Sequence, residues 1–237
     1  MKAFVFDMDD TLYLRSAPYL ETFRHFFPHE KGIEPAFLLK RSRFWSDLEF
    51  ERYKKGEITR DVMNALRVLH TLEEFSLPGD MAMAEEFQRI YEDKQRRIRL
   101  LPGLRKILES LKERGFFLGM ISNGSTDHQL MKYRALGLED LIPRSRVLIS
   151  GETPFHKPDP RIFSLYLEET GLDRGETWYI GDSALNDILP AKKAGLHTIL
   201  VRWEEGPVEE GSGSADRMVR SARELEMTLE EIIKDQA

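Results

Sequence analysis

The feature that most constrains this fold is a short apolar run that ends abruptly in acid. Lys2–Phe6 is followed at once by Asp7, Asp9 and Asp10, within FDMDDT. A continuous apolar run of this length, with no alternation, reads as a parallel strand buried on both faces. Such a strand needs partners on either side and helices above and below. It also delivers whatever follows its last residue to the carboxyl edge of the sheet, where open α/β sheets bind ligands.

The partners are legible from Leu101 onward. Gly103–Arg114 predicts a helix closed by Gly115, and Phe116–Ser122 a strand. Asp127–Leu136 predicts a helix ended by Gly137, with a short apolar run at Val147–Ile149. Asp159-Pro160 has the form of an N-cap followed by proline at the first helical position. Thr177–Asp182 predicts a strand ending in acid, Leu185–Ala194 a helix, and His197–Trp203 another strand. Thr228 and Glu231 have the spacing of a capping box for a last helix, and Glu204–Ser214 reads as an exposed loop. This alternation predicts a doubly wound, Rossmann-like parallel sheet with helices on both faces.

Between Tyr13 and Leu100 the alternation disappears. Phe37, Arg41, Phe44, Trp45 and Leu48 follow helical spacing, as do Val62, Ala65, Leu66 and Leu69, and then Met83, Phe87, Ile90 and Tyr91. So long an insertion without structure is improbable inside a compact domain. The expected division is therefore an α/β core of residues 1–14 and 101–237 with a helical cap of residues 15–100.

Composition narrows the classes of function. The 237 residues include no cysteine, which excludes disulfides, thiolate metal sites and a cysteine nucleophile. A formal net charge of −6, with no long block of Lys and Arg, disfavours nucleic acid as a partner. No stretch approaches the ~20 apolar residues of a membrane span. The first apolar run is too short for a signal peptide, so a cytoplasmic protein is expected.

Four separated elements carry the chemistry: FDMDDT, ISNGS, HKPDP and GDSALND. On the predicted topology Asp7, Asp9, Ser122, Lys157, Asp182 and Asp187 all project at the carboxyl ends of strands. Four carboxylates gathered there repel one another unless a cation sits among them. An all-oxygen donor set selects a hard ion, and Mg²⁺ in particular where a phosphate completes the octahedron. Metal, ammonium and oriented donors are what a transferring phosphoryl group requires. Asp7, at the strand tip, is placed as a nucleophile, and Asp9, two residues on, as the proton donor and acceptor.

The same four elements, in this order, resemble the motifs of the haloacid dehalogenase superfamily. Asp7, Asp9 and Thr11 match its Asp-x-Asp-x-Thr motif. Ser122 matches the second motif, Lys157 the lysine motif, and Asp182 with Asp187 the final acidic motif. The resemblance implies that Asp7, the backbone carbonyl of Asp9, and Asp182 hold Mg²⁺, with Asp187 supporting the metal or its waters. It implies that Ser122, the Asn123 amide and Lys157 hold phosphate, and that the insertion is the helical cap of the dehalogenase-like subgroup. The expected activity is hydrolysis of a small phosphate ester, such as a nucleotide or sugar phosphate. A phosphosugar mutase is the alternative within the family, and a non-catalytic phosphate-binding protein the alternative outside it. Dehalogenases and phosphonatases typically lack the second aspartate, which is present here as Asp9.

Lesser candidates have simpler readings. Asp10 reads as a solvated turn residue, and Thr11 as a support for the turn through a backbone hydrogen bond. His156 is read as incidental and Asn186 as part of a helix start. Phe44, Trp45 and Phe50 read as helix-packing residues, and Arg41 and Arg43 as a solvated helix face.

Overall fold

A computed structural model describes residues 2–204 and 210–234. The chain divides into two compact units, Arg15–Arg97 and, from both flanks of that insertion, Met1–Leu14 with Ile98–Ala237. Among the described residues, no helix is long and apolar enough to cross a membrane.

Among the described residues, the α/β unit is built on six parallel strands: β1 (Ala3–Phe6), β2 (Phe117–Ser122), β3 (Val147–Ile149), β4 (Thr177–Gly181), β5 (His197–Val201) and β6 (Arg217–Val219). Their order across the sheet is β3-β2-β1-β4-β5-β6, every neighbouring pair parallel. This is the expected doubly wound sheet. Phe6 pairs with Met120 on one side and Ile180 on the other. Asp7 therefore emerges between the tips of β2 and β4, where the winding reverses and a crevice opens.

The pleat sorts side chains onto two faces. Phe4, Phe6, Leu118, Met120 and Ile180 join one apolar cluster, while Ala3, Val5, Ile121 and Tyr179 join the other. Both faces are covered, and for that reason β1 reads as uninterrupted apolar sequence. Among the described residues, the helices of this unit, numbered after those of the insertion, are α5 (Leu104–Glu113), α6 (Thr126–Ala135), α7 (Arg161–Thr170), α8 (Leu189–Lys193) and α9 (Ala222–Lys234).

Four local expectations need correction. The start of α9 is capped by Ser221 and Glu224: the Glu224 N–H donates to the Ser221 hydroxyl at 3.1 Å, and Glu224 accepts from the Arg220 N–H at 2.8 Å. Thr228 and Glu231 share the same spacing but lie within the helix. The expected helix at Leu185–Ala194 opens instead as a wide π-type turn, Ala184–Ile188, before α8. Pro190 has no N–H to reach back to Asn186, and the Ile188 N–H bonds five residues back to Ser183. In the loop expected at Glu204–Ser214, residues 205–209 lie outside the described residues, and Ser212 is buried rather than exposed. Pro160, expected as the first residue of α7, stands just before it, with the Asp159 carboxylate accepting from the Arg161 N–H at 2.9 Å.

The helical unit contains α1 (Ser16–Phe26), α2 (Pro35–Lys54), α3 (Arg60–Glu74) and α4 (Met81–Gln95). Thr59 and Asp80 cap α3 and α4 through their side chains. Its core is Tyr19, Phe23, Leu38, Ala65, Val68, Leu72, Ala84 and Phe87. The packing face of α2 differs from the one its aromatic spacing predicts. Leu38, Ser42 and Glu49 turn inward, whereas Phe37, Phe44, Leu48 and Phe50 are each more than 40% exposed.

Candidate active site

Asp7 continues β1 by donating its backbone N–H to Ile180 O at 2.8 Å. Its carboxylate, buried with the strand tip, accepts from Lys157 Nζ at 2.6 Å and from the Thr11 hydroxyl at 3.3 Å. Thr11 was expected to bond backbone; it bonds Asp7 itself. Asp10 sits in the turn with φ of 61°, a left-handed conformation tolerated by aspartate.

Lys157 is the hub of the cluster. Its buried ammonium lies 2.6 Å from Asp7, 2.7 Å from Asp187 and 3.0 Å from the Tyr179 hydroxyl. Burial works against its charge, but Asp187 and Asp7 outweigh burial and hold its pKa well above the ordinary lysine value. Asp7 goes the other way. Burial is the largest influence and raises its carboxyl; Lys157 opposes this, and Asp187 and Asp9 add to the rise, leaving it at about 7.

The loop carrying Lys157 is pinned by Asn123. The Asn123 side chain donates to Lys157 O at 2.7 Å and accepts from Lys157 N–H at 2.9 Å. The Ser122 hydroxyl, at the tip of β2, is buried and has no hydrogen-bond partner among the described residues. A buried hydroxyl in that state suits a ligand that can accept its hydrogen bond.

Asp187 reaches the cluster because of the wide turn that precedes α8. Its carboxylate accepts from the Ser183 N–H at 3.1 Å and from the Tyr179 hydroxyl at 3.2 Å. Gly181 permits this approach, since a Cβ placed there would lie 2.6 Å from the Asp187 Cβ. Asp7, Asp182 and Asp187 each offer a carboxylate oxygen within 4.8 Å of the others, so the three can hold a metal ion.

Asp9 faces a different set. Lys132 Nζ lies 2.7 Å from both of its oxygens, Gln129 Nε2 donates to it at 3.1 Å, and the Tyr13 hydroxyl also donates to it. None of these partners was foreseen from the sequence. The available signal is on α6, where Gln129, Lys132 and Tyr133 are the buried residues. Polar residues at the i, i+3, i+4 spacing of a core-facing stripe mark a helix that faces a polar site. Tyr179 carries the same kind of signal, a hydroxyl in the middle of a buried strand. Asn186 and His156, by contrast, are exposed, and the Asn186 N–H is spent on the Ser183 hydroxyl at 3.2 Å.

A doubly wound sheet whose strand tips gather carboxylates around a buried lysine is the framework of an enzyme acting on an anionic group. More narrowly, the chain belongs to the haloacid dehalogenase-like hydrolases, whose family model matches residues 4–201. It is 34% identical over 106 residues to a glyceraldehyde 3-phosphate phosphatase of Pyrococcus abyssi, a match covering 45% of this chain and 44% of that protein. The match thus spans less than half the length of that relative. Over 232 residues it is 29% identical to a ribulose-1,5-bisphosphate 5-phosphatase of Halopiger xanaduensis, covering 91% and 90% of the two chains. In fold it is similar to a magnesium-bound hydrolase of the same superfamily from Bacillus subtilis. The TM-score there is 0.69 at 23% identity, with 97% and 98% of the two chains covered.

Proposed function

We propose that this chain is a Mg²⁺-dependent phosphatase that hydrolyses a small phosphate monoester through a phosphoryl group carried on Asp7. The observation that carries this reading is Lys157. Its buried ammonium stands 2.6 Å from Asp7 and 2.7 Å from Asp187, on the strand edge that also presents the unpartnered Ser122 hydroxyl. Relatives named for the hydrolysis of phosphate esters support the substrate class.

The donor set fits a hard divalent cation, being all oxygen and self-repelling in its anionic form. Asp7, the Asp9 backbone carbonyl and Asp182 would hold Mg²⁺, with Asp187 supporting it. The ion would supply charge neutralisation for nucleophile and phosphoryl oxygens.

The remaining chemistry falls to the chain's own residues. Ser122, the Asn123 N–H and the Lys157 ammonium bind phosphoryl oxygens and orient phosphorus toward Asp7. An Asp7 oxygen attacks phosphorus, the bond from phosphorus to the ester oxygen breaks, and Asp9 gives that oxygen its proton. Asp9 then takes a proton from water as the water oxygen attacks the same phosphorus. Inorganic phosphate leaves and the Asp7 carboxylate is restored. In this reading the α/β unit performs the chemistry and the helical insertion selects the ester.

Phosphate release from a panel of nucleotides, sugar phosphates and phosphorylated organic acids tests the proposal. Release should stop with a chelator, return with Mg²⁺, and be lost in Asp7→Asn. Full turnover in verified metal-free protein, or in Asp7→Asn, would overturn it.

A further inference from the structure

The Tyr179 hydroxyl is a polar group where packing alone calls for none. Tyr179 lies in the middle of β4, fully buried, in the same apolar cluster as Val5, Ile121 and Phe163. Phe163 meets its ring edge-on, with centres 4.8 Å apart and planes at 89°. Phenylalanine would supply all of that packing, and burying a hydroxyl is costly unless it is hydrogen-bonded. The cycle described above gives Tyr179 no part.

Its oxygen stands where three elements of the site converge. It accepts from the Lys157 ammonium at 3.0 Å, and lies 3.2 Å from both Asp187 Oδ1 and the Ile121 carbonyl oxygen. The single O–H proton is available to either of those two acceptors. Ile121 directly precedes Ser122, and β1 separates β4 from β2 in the sheet. The side chain therefore spans β1 to reach the base of the proposed phosphate site.

Lys157 shows why such a bridge is useful. An ammonium has three N–H donors, and here they meet Asp7 at 2.6 Å, Asp187 at 2.7 Å and Tyr179 at 3.0 Å. Two of these acceptors have other roles in the proposed cycle. Asp7 takes the phosphoryl group, and Asp187 supports Mg²⁺. Tyr179 has no second role, carries no charge, and is held by the packing of its ring. Asn123 already fixes the Lys157 backbone, at 2.7 and 2.9 Å; Tyr179 fixes the other end of the same residue.

We propose that Tyr179 is a positioning residue, whose hydroxyl keeps the Lys157 ammonium in place while Asp7 and Asp187 change partners. The proposal rests on the reading of Lys157 as a residue that binds phosphoryl oxygens. It assigns Tyr179 no contact with the ester.

The test uses the full chain and compares wild type with Tyr179→Phe and Phe163→Leu. The first variant removes only the oxygen; the second disturbs the same ring packing and leaves the hydroxyl. Calorimetry measures the affinity for inorganic phosphate in the presence of Mg²⁺. Turnover is measured as kcat/KM for nitrophenyl phosphate and for the best alkyl ester of the panel above. Tyr179→Phe should weaken phosphate binding about tenfold or more, because a buried charged donor loses its partner. It should lower kcat/KM by a similar factor on both esters, since the phosphoryl group is common to them. Phe163→Leu should lower Tm yet keep phosphate affinity and both kcat/KM values near those of wild type. A merely structural tyrosine predicts otherwise: Tm falls in both variants and phosphate affinity in neither. That result, or an equal loss of phosphate affinity in the two variants, would overturn the proposal. If wild type binds phosphate but hydrolyses no ester, the phosphatase reading falls. The phosphate affinities of the two variants then still decide the role of the hydroxyl.

Discussion

Lys132 holds Asp9 from behind: its ammonium lies 2.7 Å from both carboxylate oxygens, while Lys132 itself is only 3% exposed. Breaking a buried ion pair of this kind is strongly destabilising, so each partner fixes the position of the other. Gln129 adds a further donor at 3.1 Å. Asp9, the proposed proton carrier, is thus aimed by α6 rather than by the turn on which it lies.

Lys132→Met should consequently damage proton transfer more than phosphoryl transfer. Alkyl phosphates, whose leaving oxygen needs a proton, should lose about 10- to 100-fold in kcat/KM. Nitrophenyl phosphate, with an acidic leaving group, should lose much less. Measuring both esters on one preparation checks this. An equal loss on both would mean that Lys132 supports only the fold.

Gly181→Ala tests the packing that brings Asp187 into the cluster. The added Cβ would fall 2.6 Å from the Asp187 Cβ and 2.7 Å from its Oδ2, and neither can retreat cheaply from a buried turn. Overpacking of this kind costs typically ~1–3 kcal/mol. A lower Tm, together with a higher Mg²⁺ concentration for half-maximal activity, is the expected result. An unchanged Tm would show that the turn yields freely.

How much of this was legible follows from where each signal lies. Asp7, Lys157 and Asp182 could be placed because each follows an apolar run or precedes a helix start, and the sheet brings strand tips together regardless of sequence separation. Lys132 could not, because its role depends on which face of α6 meets the sheet edge, and the α6 pattern is mostly polar. Two segments, Ser221–Glu224 and Thr228–Glu231, offered the same capping spacing, and the choice between them is made by tertiary packing of Leu225, Leu229 and Ile232. On α2 the aromatic residues suggested a buried stripe, yet Leu38 and Ser42 pack and Phe44 does not. Periodicity identifies a helix more securely than the face it buries.

Asp216 gives a pH dependence of stability. It accepts from Lys192 at 2.6 Å and from the Thr198 backbone N–H at 2.8 Å, tying the segment before β6 to the start of β5. Burial, the largest single influence, pushes its carboxyl up, but Lys192 and Thr198 together outweigh it and hold it below the usual range. A carboxyl lowered in the folded state stabilises fully above its unfolded pKa and loses that contribution as pH falls through the folded value. Asp216→Asn should therefore lower Tm at neutral pH, with the gap from wild type narrowing below about pH 4. A gap that is constant with pH would assign the effect to shape instead of charge.

The two aspartates of the first motif should separate cleanly. Asp7 attacks phosphorus, so Asp7→Asn should abolish the first step whatever the leaving group. Asp9 handles protons, and its importance should follow the basicity of the leaving oxygen. An alkyl phosphate departs as a strongly basic alkoxide and should fail in Asp9→Asn. An acidic phenol needs little protonation, so phosphoryl transfer to Asp7 should still proceed. Breakdown should then slow, because no base activates the water; general acid–base help is typically ~10²- to 10⁴-fold. The expected signature is a burst of phenol near one per active site, followed by slow turnover, with phosphate retained on the protein. Rapid-quench mass spectrometry of Asp9→Asn should place that phosphate on the peptide containing Asp7. Phosphate found on Ser122 or on a histidine would instead assign the nucleophile elsewhere.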